Sequence, residues 1–453
     1  MFQKHSFAGF FMAPTFSPSA VVPQLVAQQA LYQLNRKVVF TKAAMGDYEP
    51  VGFQRGDAVT VRRAKIVTAQ DYDPRSGSPA TKAEPGYASS SLTLERLFTA
   101  GFPVYGQDSR DSIERYVPEY SRQIAQSIAK EADNYLYNKF RTYSIASTGN
   151  ISYGFNPPVG IVAAVSGQSL AAFDKSVLTA ADYVLSGNDV PADDNRFAII
   201  SNRAKSDFLN SATLVEGFTA AQGGATEQFI GGLPNGMFVN RYGFNISGSN
   251  AVTGQTGVTD LDTAVSTQGT LAIASVAANT AFTLADYYTS TSLGALDITL
   301  TCSTGLSTSV VVGQICRIAP SSTSITGWGV ILRIDRTTAT APVVTAAVFS
   351  SAGVQLTASQ ITAGTDLFSV PTIGSISVAY HKEALLYACR DIVAPSPGAG
   401  AVMAKQMDED SNLSLSILNG SYQVDYLSES SRAVLLMGAL LSDHRKACLI
   451  LSQ

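Results

Sequence analysis

Histidine and cysteine are scarce in this chain, with three of the first and four of the second among 453 residues. His5, His381 and His444 are too few and too scattered for a histidine-rich metal centre. Cys302, Cys316, Cys389 and Cys448 show no CxxC spacing, so neither a zinc ribbon nor a disulfide framework is expected. One pair stays open, because Cys302 and Cys316 can be bridged if two strands bring them side by side. Charge is scarce too: 15% of residues, 31 basic against 35 acidic. The formal net charge of -4 gives no general electrostatic reason for tight nucleic-acid binding. No apolar run of about 20 residues occurs, and Pro14 and Pro18 break the apolar start, so neither a membrane span nor a secretory leader is expected. So sparsely charged a surface is unfavourable for an isolated soluble particle, and burying it against copies of the same chain is one remedy.

What is present divides into blocks. The length allows two or three domains, and 36 glycines and 18 prolines are ordinary enough to exclude collagen and wholesale disorder. After Pro23, Leu25, Val26, Leu31 and Leu34 form a rough helical stripe that leads into a β-branched Val38-Val39 strand. Such a short helix either folds against its own domain or reaches a neighbouring copy. RGDAVTVRRAKIVTAQD then alternates as a strand, and SSSLTLERLF returns as another through Leu92 and Leu94. The polar connection between them predicts a hairpin that is either a plain surface feature or an intermolecular one. Arg62, Arg63 and Lys65 make the densest basic stretch; Arg63 and Lys65 share one strand face, suited to phosphates or to an acidic surface on another chain.

Ile113, Val117, Tyr120, Ile124, Ile128, Ala132, Tyr135 and Phe140 recur at helical spacing. Pro118 predicts a kink or a fresh start, with the main helix over residues 118–141 and Ile124 and Ile128 on its core face. Residues 148–250 mix short helices and strands. Residues 251–370 then carry 37 serines and threonines in 120 positions, and residues 251–380 only nine charged side chains. Their β-branched runs predict a separate all-β domain, a small barrel or sandwich of about six strands, with 310–312 and 330–334 as core strands. After it, ISVAYHKEALLYACRDI predicts a strand running into a short helix, and residues 413–453 predict three more strands.

No arrangement of residues composes an active site. VSGQSL at 165–170 lacks the G-x-S-x-G elbow, and a strand-to-helix cap explains Ser166 and Ser169. Glycines 223, 224, 231, 232 and 236 match no phosphate-binding loop. Asp408-Glu409-Asp410 and Asp193-Asp194 read as solvated acidic turns, and His381 as a hydrogen-bonding or packing histidine. No catalytic, cofactor or metal residues are therefore assigned.

The order of these blocks is more telling than any one of them. RGDAVTVRRAKIVTAQD followed by SLTLERLFTAGFPVYGQDSRDSIERYV, then YSRQIAQSIAKEADNYLYNKF, FIGGLPNGMFVNRYGFNISGSN, AYHKEALLYACRDI and SLSILNGSYQVDYLSESSRAVLLMGAL, resemble in sequence the major capsid proteins of tailed bacteriophages with the HK97-like fold. The likeness is to the subgroup of the phage P22 coat protein, whose core carries an inserted β-domain. It implies an α+β fold with an N-terminal arm (1–45), an extended E-loop (46–104), a peripheral domain with a long spine helix (105–147) and an axial domain (148–245). An inserted all-β domain (246–370) and a second axial part with returning peripheral strands (371–453) would follow. It further implies a non-enzymatic homo-oligomer of pentamers and hexamers that closes an icosahedral shell around double-stranded DNA, contacted nonspecifically. A separate scaffolding protein and a portal are the implied partners, with no membrane and no cofactor, and the location is the virion after assembly in the host cytoplasm. Arg62, Arg63 and Lys65 are the implied intersubunit candidates. Lys82 lies near the loop tip, where some relatives cross-link covalently. A virion decoration or receptor-binding protein is the alternative, and a hydrolase the third reading.

Overall fold

The computed structural model describes residues 27–34, 37–46, 58–64, 75, 87–105, 113–141, 160–166, 169–210, 239–261, 270–278, 297–303, 305–320, 327–338, 341–390, 392, 402–408, 413–423 and 428–453. In chain order the strands are β1 (Ala58–Ala64), β2 (Tyr87–Thr93), β3 (Arg96–Tyr105), β4 (Ile161–Ala163), β5 (Val165–Ser166), β6 (Ser169–Leu170), β7 (Arg196–Ile200), β8 (Val239–Arg241) and β9 (Phe244–Gly248). They continue as β10 (Leu271–Ala278), β11 (Asp297–Cys302), β12 (Ile315–Pro320), β13 (Gly327–Asp335), β14 (Val343–Phe349) and β15 (Asp366–Ser369). Last come β16 (Ser375–His381), β17 (Leu385–Arg390), β18 (Val402–Asp408), β19 (Leu413–Gln423), β20 (Ser428–Leu441) and β21 (Ala447–Ser452). The helices are Ile113–Asn138, Lys175–Gly187 and Asn202–Asn210, with residues 27–34 helical as well. The architecture is thus α+β with a barrel.

The chain divides into two compact units. One comprises Met1–Asn35, Leu97–Ile128 and Arg390–Leu436. In it Ala27, Ala30, Leu31 and Leu34 bury the inner stripe of the first helix, and β18, β19 and β20 form an antiparallel meander. The long helix runs without interruption from Ile113 through Pro118, so of the two expectations the fresh start at Pro118 is absent. Proline removes one backbone donor near the start of the helix, and the turns beyond it still gain one bond per residue. Ile124, Ala125 and Ile128 are buried, while Gln126 is exposed.

The other unit comprises Arg36–Arg96, Ala129–Cys389 and Met437–Gln453. Its main sheet has the strand order β4-β21-β16-β7-β9-β8. The pairs β4 with β21 and β7 with β9 are parallel, and the others are antiparallel. Every residue of β7, β16 and β21 is buried, so apart from Arg196 and His381 at the strand ends these strands read as runs of small, apolar or aromatic residues without polar alternation. The helix Lys175–Gly187 begins where the Asp174 carboxylate accepts the Lys175 N–H at 2.6 Å, and it buries Val177, Leu178, Ala181, Val184 and Leu185. These join Phe173, Phe208, Phe244 and Ile450 in one core. β8 and β9 meet in a tight turn with φ of 51° at Tyr242 and 78° at Gly243, the left-handed pair that matches strand twist.

Two other segments differ from expectation. Residues 38–44 form turns, not a strand, because the Val39 and Phe40 amides bond to a side chain and not to a neighbouring strand. After β16 the chain makes one 3-10 turn, Lys382–Ala384, and continues as β17 where a helix was expected. A short buried apolar run carries no period that separates the two.

β10 to β15 close into a barrel of order β10-β11-β14-β13-β12-β15. In β11, Ile298, Leu300 and Cys302 are buried while Thr299 and Thr301 are half-buried, the alternation a half-wet strand requires. Val330 and Ile331 are buried in β13, but 310–312 is a turn: Val310 points inward and Val311 is 49% exposed. Cys302 and Cys316 are free thiols in the barrel core, each pushed up to about 12 by burial, and the bridge left open above is not formed.

Within this unit the barrel is tied to the sheet at several points. The Gln255 side chain donates to the Ile315 carbonyl (2.8 Å) and the Pro371 carbonyl (3.2 Å) and accepts from the Ile315 N–H (2.7 Å). Ala163 N–H donates to the Ser351 carbonyl at 3.0 Å, and Val162 bridges Ala352. The chain leaves the sheet at the end of β9, where Gly248 lies opposite Ile200, and returns at the start of β16 on the other side of β7.

Candidate functional site

A dense set of side-chain attachments gathers on the last turns of the long helix, where sequence reasoning saw only a stripe. Asp133, at 5% exposure, accepts the Val39 N–H (3.2 Å to each oxygen) and the Phe40 N–H (3.1 Å). Burial pushes its carboxyl up to about 7, even though those two amides and the Lys42 charge pull the other way. One turn on, the Tyr137 hydroxyl lies 2.7 Å from the Ile376 carbonyl and 3.1 Å from the Thr253 carbonyl. The Arg141 guanidinium donates to the Gly254 carbonyl at 3.3 Å. The helix end therefore touches the segment that leads to the barrel and the strand that returns from it.

The adjacent stripe engages the hairpin. Tyr135 donates to Glu95 at 2.8 Å and accepts the Ala439 N–H at 3.1 Å, and Lys139 donates to the same Glu95 oxygen at 2.6 Å. Burial acts to raise the Glu95 carboxyl, but the hydrogen bonds from Lys139 and Tyr135 and the charges of Lys139 and Arg96 outweigh it and hold it below the usual carboxylate range. Glu95 lies in the two-residue link between β2 and β3, so this cluster fixes the base of the hairpin. Asp133, Tyr137 and Phe140 stand at i, i+4 and i+7, and an acid on an otherwise aromatic face was the signal that could have found them.

In the hairpin, β1 and β2 pair over seven residues, with Arg62 opposite Ser89 and Arg63 opposite Ala88. Val61 and Leu92 are buried, and Ala58 and Thr60 on the other face of β1 are exposed. The side chains of Arg62 and Arg63, and Lys65 and Lys82 altogether, lie outside the described residues. Ile124 and Ile128 are 4% and 2% exposed.

The chemical candidates resolve into structural roles. His381 is 3% exposed; its Nε2 lies 3.1 Å from Asp193 Oδ1, and its Nδ1 accepts the Glu383 N–H at 3.4 Å, capping the 3-10 turn. Ser166 and Ser169 face each other in the small β5–β6 hairpin, so the expected strand-to-helix cap falls instead to Asp174. Asp408 ends β18, and Glu409 and Asp410 lie outside the described residues. No group of three or more potential metal ligands occurs among the described residues, and no described helix is long and apolar enough to cross a membrane.

No protein-family model matches the chain, and no curated protein matches it in sequence. Its course is similar to that of several solved viral particle proteins. With a structure of Mycobacterium phage Che8 it shares 12% identity over 91% of each chain at a TM-score of 0.40. A capsid structure of the cyanophage P-SCSP1u shares 10% identity over 92% of this chain and 89% of that one at 0.41. A virus-like particle from Pyrococcus furiosus shares 7% identity over 94% and 97% at 0.35.

Proposed function

We propose that this chain is a shell-forming coat protein of a tailed bacteriophage with an HK97-like fold. It assembles as pentamers and hexamers into an icosahedral shell around double-stranded DNA and performs no turnover. In this reading residues 1–45 are the arm, 46–104 the E-loop, 105–147 the spine and peripheral domain, 148–245 and 371–453 chiefly the axial domain, and 246–370 a surface domain. The observation that carries it is the β1–β2 ribbon, which among the described residues joins no larger sheet. An isolated ribbon is marginal in water; Val61 and Leu92 on one face are already buried in the single chain, so it is the exposed face bearing Ala58 and Thr60 that a neighbouring copy would cover. Its base is bonded through Glu95 to Tyr135 and Lys139 of the long helix, so a load on the ribbon reaches the helix directly. A formal charge of -4 suits a container that touches its DNA only nonspecifically. Arg62, Arg63 and Lys65 would seat the ribbon on acidic or backbone groups of the next copy, and a separate scaffold and portal would direct closure.

The test is electron microscopy of purified assemblies of the full chain beside a variant lacking residues 72–88. Closed icosahedral shells from the full chain, and folded but unassembled subunits from the deletion, support the reading. Trimers or fibres from the full chain favour a decoration or receptor-binding protein, and normal shells from the deletion reject the role of the ribbon.

A further inference from the structure

We propose that Gly438 is the seat that sets the direction in which the β1–β2 ribbon leaves its base, and that Glu95 locks the ribbon onto that seat. That this direction matters to a second copy rests on the coat-protein reading above; the seat itself does not. The ladder of the ribbon ends at the rung Ala58–Thr93, and that rung lies directly on β20. A Cβ on Gly438 would stand 2.3 Å from the Thr93 carbonyl oxygen, 2.9 Å from the Thr93 carbonyl carbon and 3.1 Å from Leu94 Cα. All three are backbone atoms, so no side-chain rotation makes room, and only a residue without a Cβ lets the two segments cross this closely. Two residues beyond Thr93, Glu95 accepts from Tyr135 (2.8 Å) and Lys139 (2.6 Å), and the Tyr135 oxygen takes the Ala439 N–H at 3.1 Å. Consecutive residues of β20 thus do both jobs: Gly438 gives the ribbon room, and Ala439 holds, through Tyr135, the residue that locks it.

Packing decides which side yields to added bulk. β20 is an inner strand of its sheet, and Met437 and Ala439 on either side of Gly438 are buried. The ribbon is packed on one face only, through Val61 and Leu92, while Ala58 and Thr60 on the other are exposed. A methyl group on residue 438 therefore displaces Thr93, by about 1 Å if an ordinary contact of 3.4 Å is to be restored. Glu95 stays where Tyr135 and Lys139 hold it, so the shift becomes a rotation about Glu95. At about 3.3 Å per residue the displaced point lies about 7 Å from the pivot and Ala88 about 23 Å, so the same rotation carries Ala88 through about 3 Å. One methyl at the base thus becomes, at the rung Arg63–Ala88, a displacement as long as a hydrogen bond.

Spin-label distances in unassembled subunits of the full chain test this, with Cys389→Ser throughout. One label is placed at Ala88→Cys and the other at Thr179→Cys or Val354→Cys, two exposed reference positions in the same compact unit. Gly438→Ala should move the distance to at least one reference by about 3 Å at unchanged secondary structure. Gly187→Ala, where a Cβ meets nothing within 4 Å, should leave both distances in place. Distances unmoved in G438A, or moved equally in G187A, overturn the seat. If G438A does not fold, Tyr135→Phe decides, because it takes from Glu95 one of its bonds and from Ala439 its acceptor without adding bulk. A broadened distribution then supports the joint, and an unchanged width overturns it. Electron microscopy of G438A assemblies separates this inference from the reading it serves. A displaced ribbon with lost or malformed shells supports both, whereas a displaced ribbon with normal shells leaves the seat standing and rejects the ribbon's role in assembly.

Discussion

Tyr137 shows how one hydroxyl can serve three elements: it sits on the long helix and lies within bonding distance of carbonyls on both chain segments flanking the barrel. Tyr137→Phe should lower stability by about 1–2 kcal/mol in urea unfolding, because a buried hydrogen bond is lost and two carbonyls are left short of a donor. Gly353 is a second such residue. Its φ is +83°, and a Cβ there would lie 2.4 Å from Val184 Cγ2 and 3.0 Å from Val162 Cγ2. Gly353→Ala is therefore both strained and overpacked, and should cost about 1–3 kcal/mol by the same measurement. The thiols give a chemical readout at this scale. Cys302, Cys316 and Cys448 are buried and held near 12, so at pH 8 a thiol reagent should label only the half-buried Cys389 in the native protein and all four cysteines in denaturant.

At the scale of elements, the amphipathic stripe was legible and its exceptions were not. The helix bearing Ile124 and Ile128 follows from their spacing, and truncating either buried residue to Ala should cost about 2–5 kcal/mol, while a change at exposed Gln126 should stay within about 0.5 kcal/mol. Urea unfolding of unassembled subunits measures both, and unchanged stability in I124A and I128A would remove the assigned face. What periodicity could not show is where a polar atom replaces a ladder partner. Val38-Val39 has the composition of a strand, yet Asp133, 94 residues away from Val39, takes the amide a sheet would have used. Leu385–Arg390 likewise has no decisive period, and its neighbours made it a strand. Val310 to Val312 failed for the opposite reason: three β-branched residues in a row, with only Val310 buried. The attachment cluster around Glu95, Asp133, Tyr135 and Tyr137 was invisible for the same reason as the turn, since each partner is distant in sequence.

At the scale of the whole molecule, the abrupt loss of charge after residue 250 announced the barrel, because a domain change in composition needs no knowledge of contacts. Closure and strand order did not follow from composition, since six short strands with similar alternation permit many pairings. How firmly the barrel is held is a separate question, and Gln255 addresses it. Replacing it by Ala leaves the buried Ile315 N–H and carbonyl without these partners, at about 1–3 kcal/mol for each group. In a calorimetric scan, Gln255→Ala should therefore separate a barrel transition from that of the sheet, whereas a single unshifted transition would show that the other ties suffice.

The place where the barrel joins the sheet has a practical side. Its two attachment strands, β9 and β16, flank the single strand β7, with Gly248 opposite Ile200 and Val378 opposite Ile199, so they run two strand spacings apart, about 10 Å. Three or four residues of ordinary chain cover that distance. A module exchanged for the barrel should therefore have termini about 10 Å apart and keep Thr253, Gly254 and Ile373, which bond to the long helix and to Gln255; it would also have to replace the ties that Ser351 and Ala352 make to β4.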